Sequence, residues 1–260
     1  YTYLNKGNHC VIETTVENNF MPTAAELEPF IKGATLLCLC TPQNPTGTTL
    51  EKNELEKICK LVIEENKRRS QDEKKLYVMF DQMYFTLTYG KTMHYNPVSL
   101  FPEMKEVTIF ISGISKAFAA TGVRVGWSLG PEKVIAKIRS LLTHMGTWAP
   151  MAEQKAVAKF LMEDDYIFNF FAQFKSALST RLEKIYEGFI QLKDKGYPVD
   201  AIIPQAAIYL TIKLDLVGKN NGEKKLETQR DVTSYILDEA KLAVVPFYAF
   251  GADEHSPWYR

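Results

Sequence analysis

Residues that could do chemistry follow each of three short apolar runs in the first half of the chain. The polar segments are 41–47 (TPQNPTG), 81–84 (DQMY) and 112–116 (SGISK). In an open α/β sheet, ligands bind outside the carboxyl ends of the strands. If the apolar runs are neighbouring strands, an amide, a carboxylate, a phenol and an amine therefore meet at one edge of a sheet.

These side chains match the needs of pyridoxal phosphate. This cofactor takes an amine with which to form a Schiff base, a carboxylate that keeps its ring nitrogen protonated as an electron sink, and a cation for its phosphate. Lys116, Asp81 and Arg124 can supply these groups. The sequence therefore predicts a pyridoxal-phosphate site in which Lys116 is the anchor.

The motifs resemble those of the class I/II aminotransferases, the aspartate-aminotransferase type of fold-type-I pyridoxal-phosphate enzyme. The motifs are NPTG at 44–47, D-x-x-Y at 81–84, SK at 115–116 and RVGW at 124–127, in the family's order. Each motif is weak by itself, but the ordered set is specific. The resemblance covers essentially the whole chain. It implies a transaminase that moves an amino group between an α-amino acid, which we expect to be aspartate or an aromatic one, and a 2-oxo acid such as 2-oxoglutarate.

The resemblance also implies roles around the cofactor ring. Lys116 would hold the cofactor as a Schiff base and then move the proton at the substrate Cα. Asp81 would pair with the ring nitrogen, a charge-assisted contact that stabilises negative charge at Cα. Tyr84 and Asn44 would donate hydrogen bonds to the phenolic oxygen of the ring.

Further roles concern the phosphate and the substrate. By resemblance, Arg124 would bind the phosphate with its planar fork, and Arg260 would bind the substrate α-carboxylate. The family often has Ser three residues before the lysine, where its hydroxyl binds the phosphate. Gly113 occupies that position here, and Ser112 and Ser115 flank it, so we expect Ser115 to be the phosphate ligand.

Hydrophobic periodicity indicates the elements that position these residues. Apolar runs at 36–40, 76–80 and 107–111 predict strands. A helix between the first two strands is predicted by four apolar residues at helical spacing, Leu55, Ile58, Cys59 and Val62. Strands that alternate with helices indicate a mainly parallel sheet covered by helices.

The second half of the chain predicts a smaller α+β domain. Helices are expected at 132–143, 151–193 and 230–242, and strands at 207–214 and 242–245. The predicted fold is α/β of the fold-type-I kind, with a large cofactor domain at 1–150, a connecting helical region at 151–194 and a small domain at 195–260. Tyr209, Trp127 and Trp148 are expected to pack in cores.

Composition argues against several other classes of protein. Lys plus Arg equals Asp plus Glu at 31 each, so no net charge draws the chain to nucleic acid or to an anionic membrane. There is no apolar run of about 18 residues, the length of a membrane span. The cysteines and histidines lack zinc-site spacing, so we expect no metal. We expect buried free thiols in the cytoplasm. The family resemblance implies a homodimer, with active sites at the interface, that acts on small molecules in amino acid metabolism and biosynthesis.

The chain begins at Tyr1 without an initiator Met and ends at Arg260. We expect both ends to be cuts within a longer folded protein, so its targeting signal is not visible. In the family, the segment before Tyr1 carries a glycine-turn phosphate contact and the aromatic residue that stacks on the cofactor ring.

Other functions stay open on the sequence alone. The same cofactor supports a C–S lyase, an α-decarboxylase or a cyclopropane amino acid synthase. Arg260 favours transamination or elimination over α-decarboxylation, because it would hold the carboxylate in place. A non-catalytic alternative is the aminotransferase-like effector domain of a transcription regulator, which predicts a DNA-binding segment before Tyr1. A serine hydrolase is excluded because 113–117 lacks the second Gly of a nucleophile elbow.

Overall fold

The structure, a computed structural model, describes residues 6–220, 222 and 225–260. The first five residues of the predicted large domain lie outside this part of the chain.

The first sheet contains the segments that carry the candidate chemistry. Its four strands lie in the order β1 (Leu36–Cys40), β2 (Tyr77–Asp81), β3 (Thr108–Gly113) and β4 (Gly126–Leu129). β1, β2 and β3 are parallel neighbours, and β4 is antiparallel to β3. The mainly parallel sheet and its three predicted strands are confirmed, with shifts of one or two residues at the ends of β2 and β3. β4 has no counterpart in the sequence prediction.

Two helices cover part of this sheet and fix the position of β2. They are α1 (Ala24–Ile31), which begins with a capping box between Thr23 and Glu26, and α2 (Lys52–Arg68). The four apolar residues that predicted α2 are all buried. They pack with Leu27, Val78 and Phe80 in one core. Each fully buried aliphatic side chain contributes about 1.5–3 kcal/mol. This core holds the strand that ends in Asp81.

Two short helices follow strands of the sheet. α3 (Pro97–Leu100) lies between β2 and β3, and Asn96 caps it by accepting a hydrogen bond from the Ser99 N–H. α4 (Ile114–Ala117) begins directly after β3 and carries Lys116.

Three helices occupy the middle of the chain, α5 (Glu132–Met145), α6 (Met151–Phe160) and α7 (Asp164–Asp194). The predicted helix at 132–143 is confirmed. The predicted helical region at 151–193 divides into α6 and α7, because the chain closes a turn in which the Glu163 N–H bonds the Phe160 carbonyl at 3.0 Å. Two acidic residues then occupy the first turn of α7, where the helix dipole favours negative charge.

A second, antiparallel sheet lies in the last third of the chain. Its three strands are β5 (Val199–Ala201), β6 (Ile212–Leu214) and β7 (Trp258–Tyr259). α8 (Gln229–Ala240) begins with a second capping box, between Thr228 and Asp231. The core between these elements and α7 includes Leu182, Leu210, Ile212, Leu214, Val232, Ile236 and Tyr259.

Of the two strands predicted in this part of the chain, one is shorter than predicted and the other does not form. Of 207–214, only Ile212–Leu214 is a strand. Residues 205–207 instead bond to loops of the first sheet, with the Ala206 N–H to the Gly47 carbonyl at 2.9 Å and the Ala207 N–H to the Leu87 carbonyl at 2.8 Å. Residues 242–245 form no named strand, although Val245 exchanges two backbone hydrogen bonds with Arg260, at 2.9 and 2.8 Å.

The cysteines differ from the expectation of buried thiols. All four are free, but only Cys59 is buried; Cys40 is half-buried, and Cys10 and Cys38 are exposed. Cys38 lies on β1, where successive side chains point to opposite faces of the sheet, and its neighbour Leu39 is buried. Among the helices of the described residues, none combines the length and the apolar character needed to cross a bilayer.

Candidate active site

Three of the predicted site segments start at one edge of the first sheet. Cys40 pairs with Asp81, and Asp81 pairs with Ile111, so β1, β2 and β3 end side by side. Just past the strand ends, the Thr41 N–H bonds the Asp81 carbonyl and the Gln82 N–H bonds the Ile111 carbonyl, both at 3.0 Å. The sheet therefore brings the backbones of the segments 41–47, 81–84 and 112–116 together where each leaves its strand.

Asp81 holds a half-buried carboxylate at this edge. Its Oδ1 accepts a hydrogen bond from the Met83 N–H at 3.0 Å, which orients the side chain. Among the described residues, no lysine or arginine forms an ion pair with Asp81. A half-buried carboxylate usually has a cationic partner, so this one is suited to bind a cationic group of a ligand.

Lys116 is half-buried on α4, and within the described part of the chain its amine has no hydrogen-bond or ion-pair partner. Ser115 beside it is also half-buried, and its carbonyl accepts a hydrogen bond from the Thr121 hydroxyl at 3.0 Å. Arg124 is exposed, has left-handed backbone at φ 60°, and donates from Nη1 to the Thr121 carbonyl at 2.8 Å. The loop at Thr121 thus ties Arg124 to the helix that carries Lys116.

Gly113 has a packing reason to be glycine. It lies opposite Gly126 in the β3–β4 ladder, and a Cβ at position 113 would lie 3.0 Å from both the Gly126 Cα and the Val125 carbonyl oxygen. A serine here would push β4 away from β3. The hydroxyl of Ser112 is buried and has no hydrogen-bond partner in the described chain.

The loop after β1 is rigidly tied to the segment before β6. The Thr211 hydroxyl donates to the Thr46 carbonyl at 2.9 Å, and the Thr49 N–H donates to the Gln205 side chain at 3.0 Å. Gly47 has φ 71°, and a Cβ there would lie 2.8 Å from the Tyr209 carbonyl oxygen. Only glycine fits this contact without displacing one of the two segments.

We expect Gly47→Ala to lower the free energy of unfolding by about 2–4 kcal/mol, because left-handed backbone and overpacking add. Gly33→Ala is the matched control, since Gly33 has φ 81° but no atom lies within 4 Å of a Cβ placed there. The control is expected to lose only the backbone part, about 1–2 kcal/mol. Urea unfolding of both variants measures the difference, and equal losses would contradict the close contact.

Arg260 and Asn44 meet at the end of this loop. Arg260 Nη1 donates to Asn44 Oδ1 at 2.9 Å. The guanidinium carbon of Arg260 lies 4.6 Å from the ring centroid of Tyr209 and 5.1 Å from that of Phe250. In the described part of the chain no carboxylate forms an ion pair with Arg260. The guanidinium is therefore oriented by neutral groups and keeps its charge available.

Tyr84 and Tyr209 form a second contact between the two halves of the site. Tyr84 is buried, and its hydroxyl lies 2.6 Å from that of Tyr209. Burial is the main cause that raises the pKa of Tyr84, and the hydrogen bond with Tyr209 raises it further. Tyr209 packs against the small core of Tyr84, Leu87 and Ala207, as expected, and its half-buried side chain also contacts Arg260. No sequence pattern indicated the contact with Tyr84, which joins residues 125 positions apart.

A separate groove lies outside this site. It measures about 830 Å³ and runs along β1, where its lining includes Cys10, Phe30 and Cys38. Asp81, Tyr84, Lys116 and Arg260 do not line it. Among the described residues, no group of three or more His, Cys, Asp or Glu side chains could hold a metal ion.

As far as the described residues show, the amine of Lys116 has no partner, the carboxylate of Asp81 has no cation, and the guanidiniums of Arg124 and Arg260 have no anion. A ligand that carries a carbonyl, a basic ring nitrogen and anionic groups would complete this set. Pyridoxal phosphate bound with an amino acid has these groups, so the residues fit the cofactor that the sequence predicted.

Comparisons with known proteins agree with this chemistry. The family model described as "Aminotransferase class I and II" matches residues 3–260. A probable aspartate/prephenate aminotransferase of Rickettsia felis is 30% identical over 96% of this chain and 58% of its own length. An aspartate aminotransferase of Bacillus sp. is 29% identical over 93% of this chain and 57% of its own length. The chain thus spans somewhat more than half the length of these curated relatives.

Solved structures share the fold. An aromatic aminotransferase from Pyrococcus horikoshii superposes with a TM-score of 0.81 at 27% identity, over 98% of this chain and 62% of the other. The aspartate aminotransferase of Thermus thermophilus with maleate superposes with a TM-score of 0.82 at 25% identity, over 100% of this chain and 62% of the other.

Proposed function

Because the chain belongs to the class I and II aminotransferases, we propose that it is the catalytic part of a pyridoxal-phosphate-dependent transaminase. The reaction moves an amino group between an α-amino acid and a 2-oxo acid. One observation carries the proposal: a half-buried carboxylate ends β2, and a half-buried lysine amine lies just after β3, the adjacent parallel strand. Neither group has an ionic partner among the described residues.

Lys116, Asp81, Tyr84 and Asn44 would hold the cofactor ring. When bound, pyridoxal phosphate supplies an electron-withdrawing ring that stabilises negative charge at the substrate Cα. Asp81 would keep the ring nitrogen protonated, and Met83 orients its carboxylate for that contact. Asn44 accepts from Arg260 with its Oδ1, which leaves its amide N–H groups free to donate to the phenolic oxygen of the ring. Tyr84 would donate to the same oxygen.

Lys116 would be both the anchor and the general base. Its amine would hold the cofactor in the absence of substrate. In the first half of the reaction it would accept the proton from the substrate Cα, and in the second half it would return a proton to Cα. Arg124 and Ser115 would bind the phosphate from the loop and helix that follow β3. Arg260 would bind the substrate α-carboxylate, and a retained carboxylate supports transamination over α-decarboxylation.

We propose aspartate or an aromatic amino acid as the amino donor and 2-oxoglutarate as the acceptor. The names of the relatives support this class, since they include aspartate/prephenate, aspartate and aromatic aminotransferases. The described chain holds one arginine, Arg260, that is flanked by aromatic rings and an amide. One such cation binds the carboxylate that all α-amino acids share and does not choose among their side chains.

We also propose a homodimer with the helices α5, α6 and α7 at its interface. No residue of α5 is buried. Large apolar side chains of this region are exposed, among them Leu141, Met145, Trp148, Met151 and Phe168, at 56–75%. Trp148 therefore does not pack in a core as the sequence analysis expected. Exposed large apolar side chains in such number are typical of a protein interface.

The division into a large domain at 1–150, a connecting region at 151–194 and a small domain at 195–260 remains part of the proposal. Two separate apolar cores, one around α2 and one around α8, support it. A cytoplasmic location, a role in amino acid biosynthesis and the absence of nucleic-acid binding complete the proposal. Free exposed thiols support the cytoplasmic location. A net charge of zero supports the absence of nucleic-acid binding.

Absorbance spectroscopy of the full-length protein tests the function. We expect pyridoxal phosphate to produce a visible band that aspartate or an aromatic amino acid shifts to that of the amine form of the cofactor. A 2-oxo acid should then restore the band in the absence of the amino acid. A band that no amino acid alters would contradict transamination and favour the non-catalytic regulator, and no band would contradict cofactor binding.

A further inference from the structure

We infer that Tyr209 is a positioning residue of the site. Its ring supports Arg260, the arginine for the substrate carboxylate, and its hydroxyl supports the phenol of Tyr84, which would donate to the cofactor. This inference deepens the proposed function and rests on it for the roles of Arg260 and Tyr84. The contacts of Tyr209 themselves come from the fold.

The backbone around Tyr209 is held on both sides. The Ala207 N–H bonds the Leu87 carbonyl at 2.8 Å, and the Tyr89 N–H bonds the Gln205 carbonyl at 2.9 Å. The hydroxyl of Tyr89 also donates to the Ala207 carbonyl. Ala207 has left-handed backbone, at φ 64°, which turns the chain between these bonds. Because the segment is fixed to loops of the first sheet, the Tyr209 side chain has a defined direction.

The ring of Tyr209 is one wall of the Arg260 site. The guanidinium lies between the rings of Tyr209 and Phe250, at 4.6 and 5.1 Å, and Asn44 holds one nitrogen at 2.9 Å. Aromatic faces attract a guanidinium without neutralising its charge. These contacts restrict Arg260 before a carboxylate arrives, so less side-chain freedom is lost when it binds.

The hydroxyl of Tyr209 contacts Tyr84 instead of Arg260. At 2.6 Å, one of the two phenols must donate its proton to the other. If Tyr84 donates its own proton to the cofactor oxygen, Tyr209 is the donor in their mutual bond. Its hydroxyl then completes the hydrogen bonding of Tyr84, a residue that is 4% exposed. Without it, the oxygen of Tyr84 would lose a partner in a site that water reaches poorly.

The ring and the hydroxyl of Tyr209 therefore predict two separable effects, one on maleate binding and one on cofactor binding. Tyr209→Phe keeps the ring and removes the hydroxyl, and Tyr209→Leu removes both. We expect Tyr209→Phe to weaken pyridoxal phosphate about threefold to tenfold while it changes the dissociation constant of maleate, an unreactive dicarboxylate, by less than about twofold. Tyr209→Leu should weaken maleate as well, by about fivefold or more.

Equilibrium dialysis measures the cofactor, and calorimetry on the cofactor-loaded full-length protein measures maleate. A merely structural role would move both constants together in Tyr209→Phe. Tyr197→Phe is the matched control, since Tyr197 is 58% exposed and should change neither constant. Unchanged maleate binding in Tyr209→Leu would overturn the role of the ring, and unchanged cofactor binding in Tyr209→Phe would overturn that of the hydroxyl.

A second measurement separates this inference from the proposed function, because it needs no cofactor. Tyr84→Phe, Tyr209→Phe and the double variant are unfolded in urea without pyridoxal phosphate. If the hydroxyls bond each other, the double variant should unfold at a urea concentration no lower than that of the less stable single variant. Additive losses would overturn the hydroxyl contact whether or not the protein binds the cofactor. Failure of the wild type to bind pyridoxal phosphate would overturn only the proposed function.

Discussion

Lys116→Ala should abolish covalent attachment of pyridoxal phosphate and lower the transamination rate by about 10³-fold, within the range for a lost acid–base group. The amine of Lys116 is half-buried and, among the described residues, has no hydrogen-bond or ion-pair partner, so it is free to form the Schiff base. Borohydride reduction, digestion and mass spectrometry would locate the attached cofactor. In the wild type the label should lie on the peptide that contains Lys116, and in the variant no peptide should carry it.

Lys175→Ala is the matched control for this experiment. Lys175 is also half-buried, and burial lowers its pKa below the usual range, so it is the kind of lysine that could react by chance. It lies on α7 and has no role in the proposed site. The control should keep both the label and the activity. A label on Lys175, or one that survives in Lys116→Ala, would refute the assignment of the anchor.

Asp81→Asn should lower the rate by about 10²–10³-fold, the usual effect of removing one preorganised electrostatic group. The amide has nearly the shape of the carboxylate, and its oxygen can still accept from the Met83 N–H, so the end of β2 should keep its structure. A neutral amide cannot hold a proton on the ring nitrogen of the cofactor. The cofactor should therefore still bind, but its visible band should move to that of the unprotonated ring.

Asp215→Asn serves as the control for Asp81→Asn. The Asp215 carboxylate is 57% exposed and lies 3.5 Å from the Lys213 amine, and such surface pairs contribute only about 0–1 kcal/mol. Its loss should leave the rate unchanged. If Asp81→Asn works at the rate of the wild type, the carboxylate is not the partner of the ring nitrogen, and the proposed electron-sink role is wrong.

Much of the first sheet was predictable because its signals are local. Strands β1 to β3 are continuous apolar runs, and the buried face of α2 repeats with helical spacing. Both patterns follow from burial of neighbouring residues in the same element. Shorter elements carry no such signal. β4 has four residues and β7 has two, so neither contains enough alternation to be recognised.

The second half of the chain was less predictable for a different reason. Residues 207–211 have the composition of a strand, yet the Ala207 N–H and the Thr211 hydroxyl bond to loops of the first sheet, and ladder pairing with β5 begins only at Ile212. In the segment 242–245, the Leu242 N–H bonds back to the Ile236 carbonyl of α8, and Val245 exchanges backbone hydrogen bonds with Arg260. Strand propensity describes how a residue fits a pleated surface, and tertiary contacts decide whether such a surface is present.

The sequence by itself determined which chemical groups stand at the strand ends and in what order. Lys116, Asp81 and Asn44 belong to motifs within or directly after single elements, and parallel strands bring their carboxyl ends to one edge. Only the tertiary structure decided that Tyr209 bonds Tyr84, 125 positions away, and that Arg260 bonds Asn44, 216 positions away. Contacts at such separations depend on how the segment before β6 and residue 260 fold onto the loops that follow β1 and β2, and no local pattern of residues encodes that arrangement.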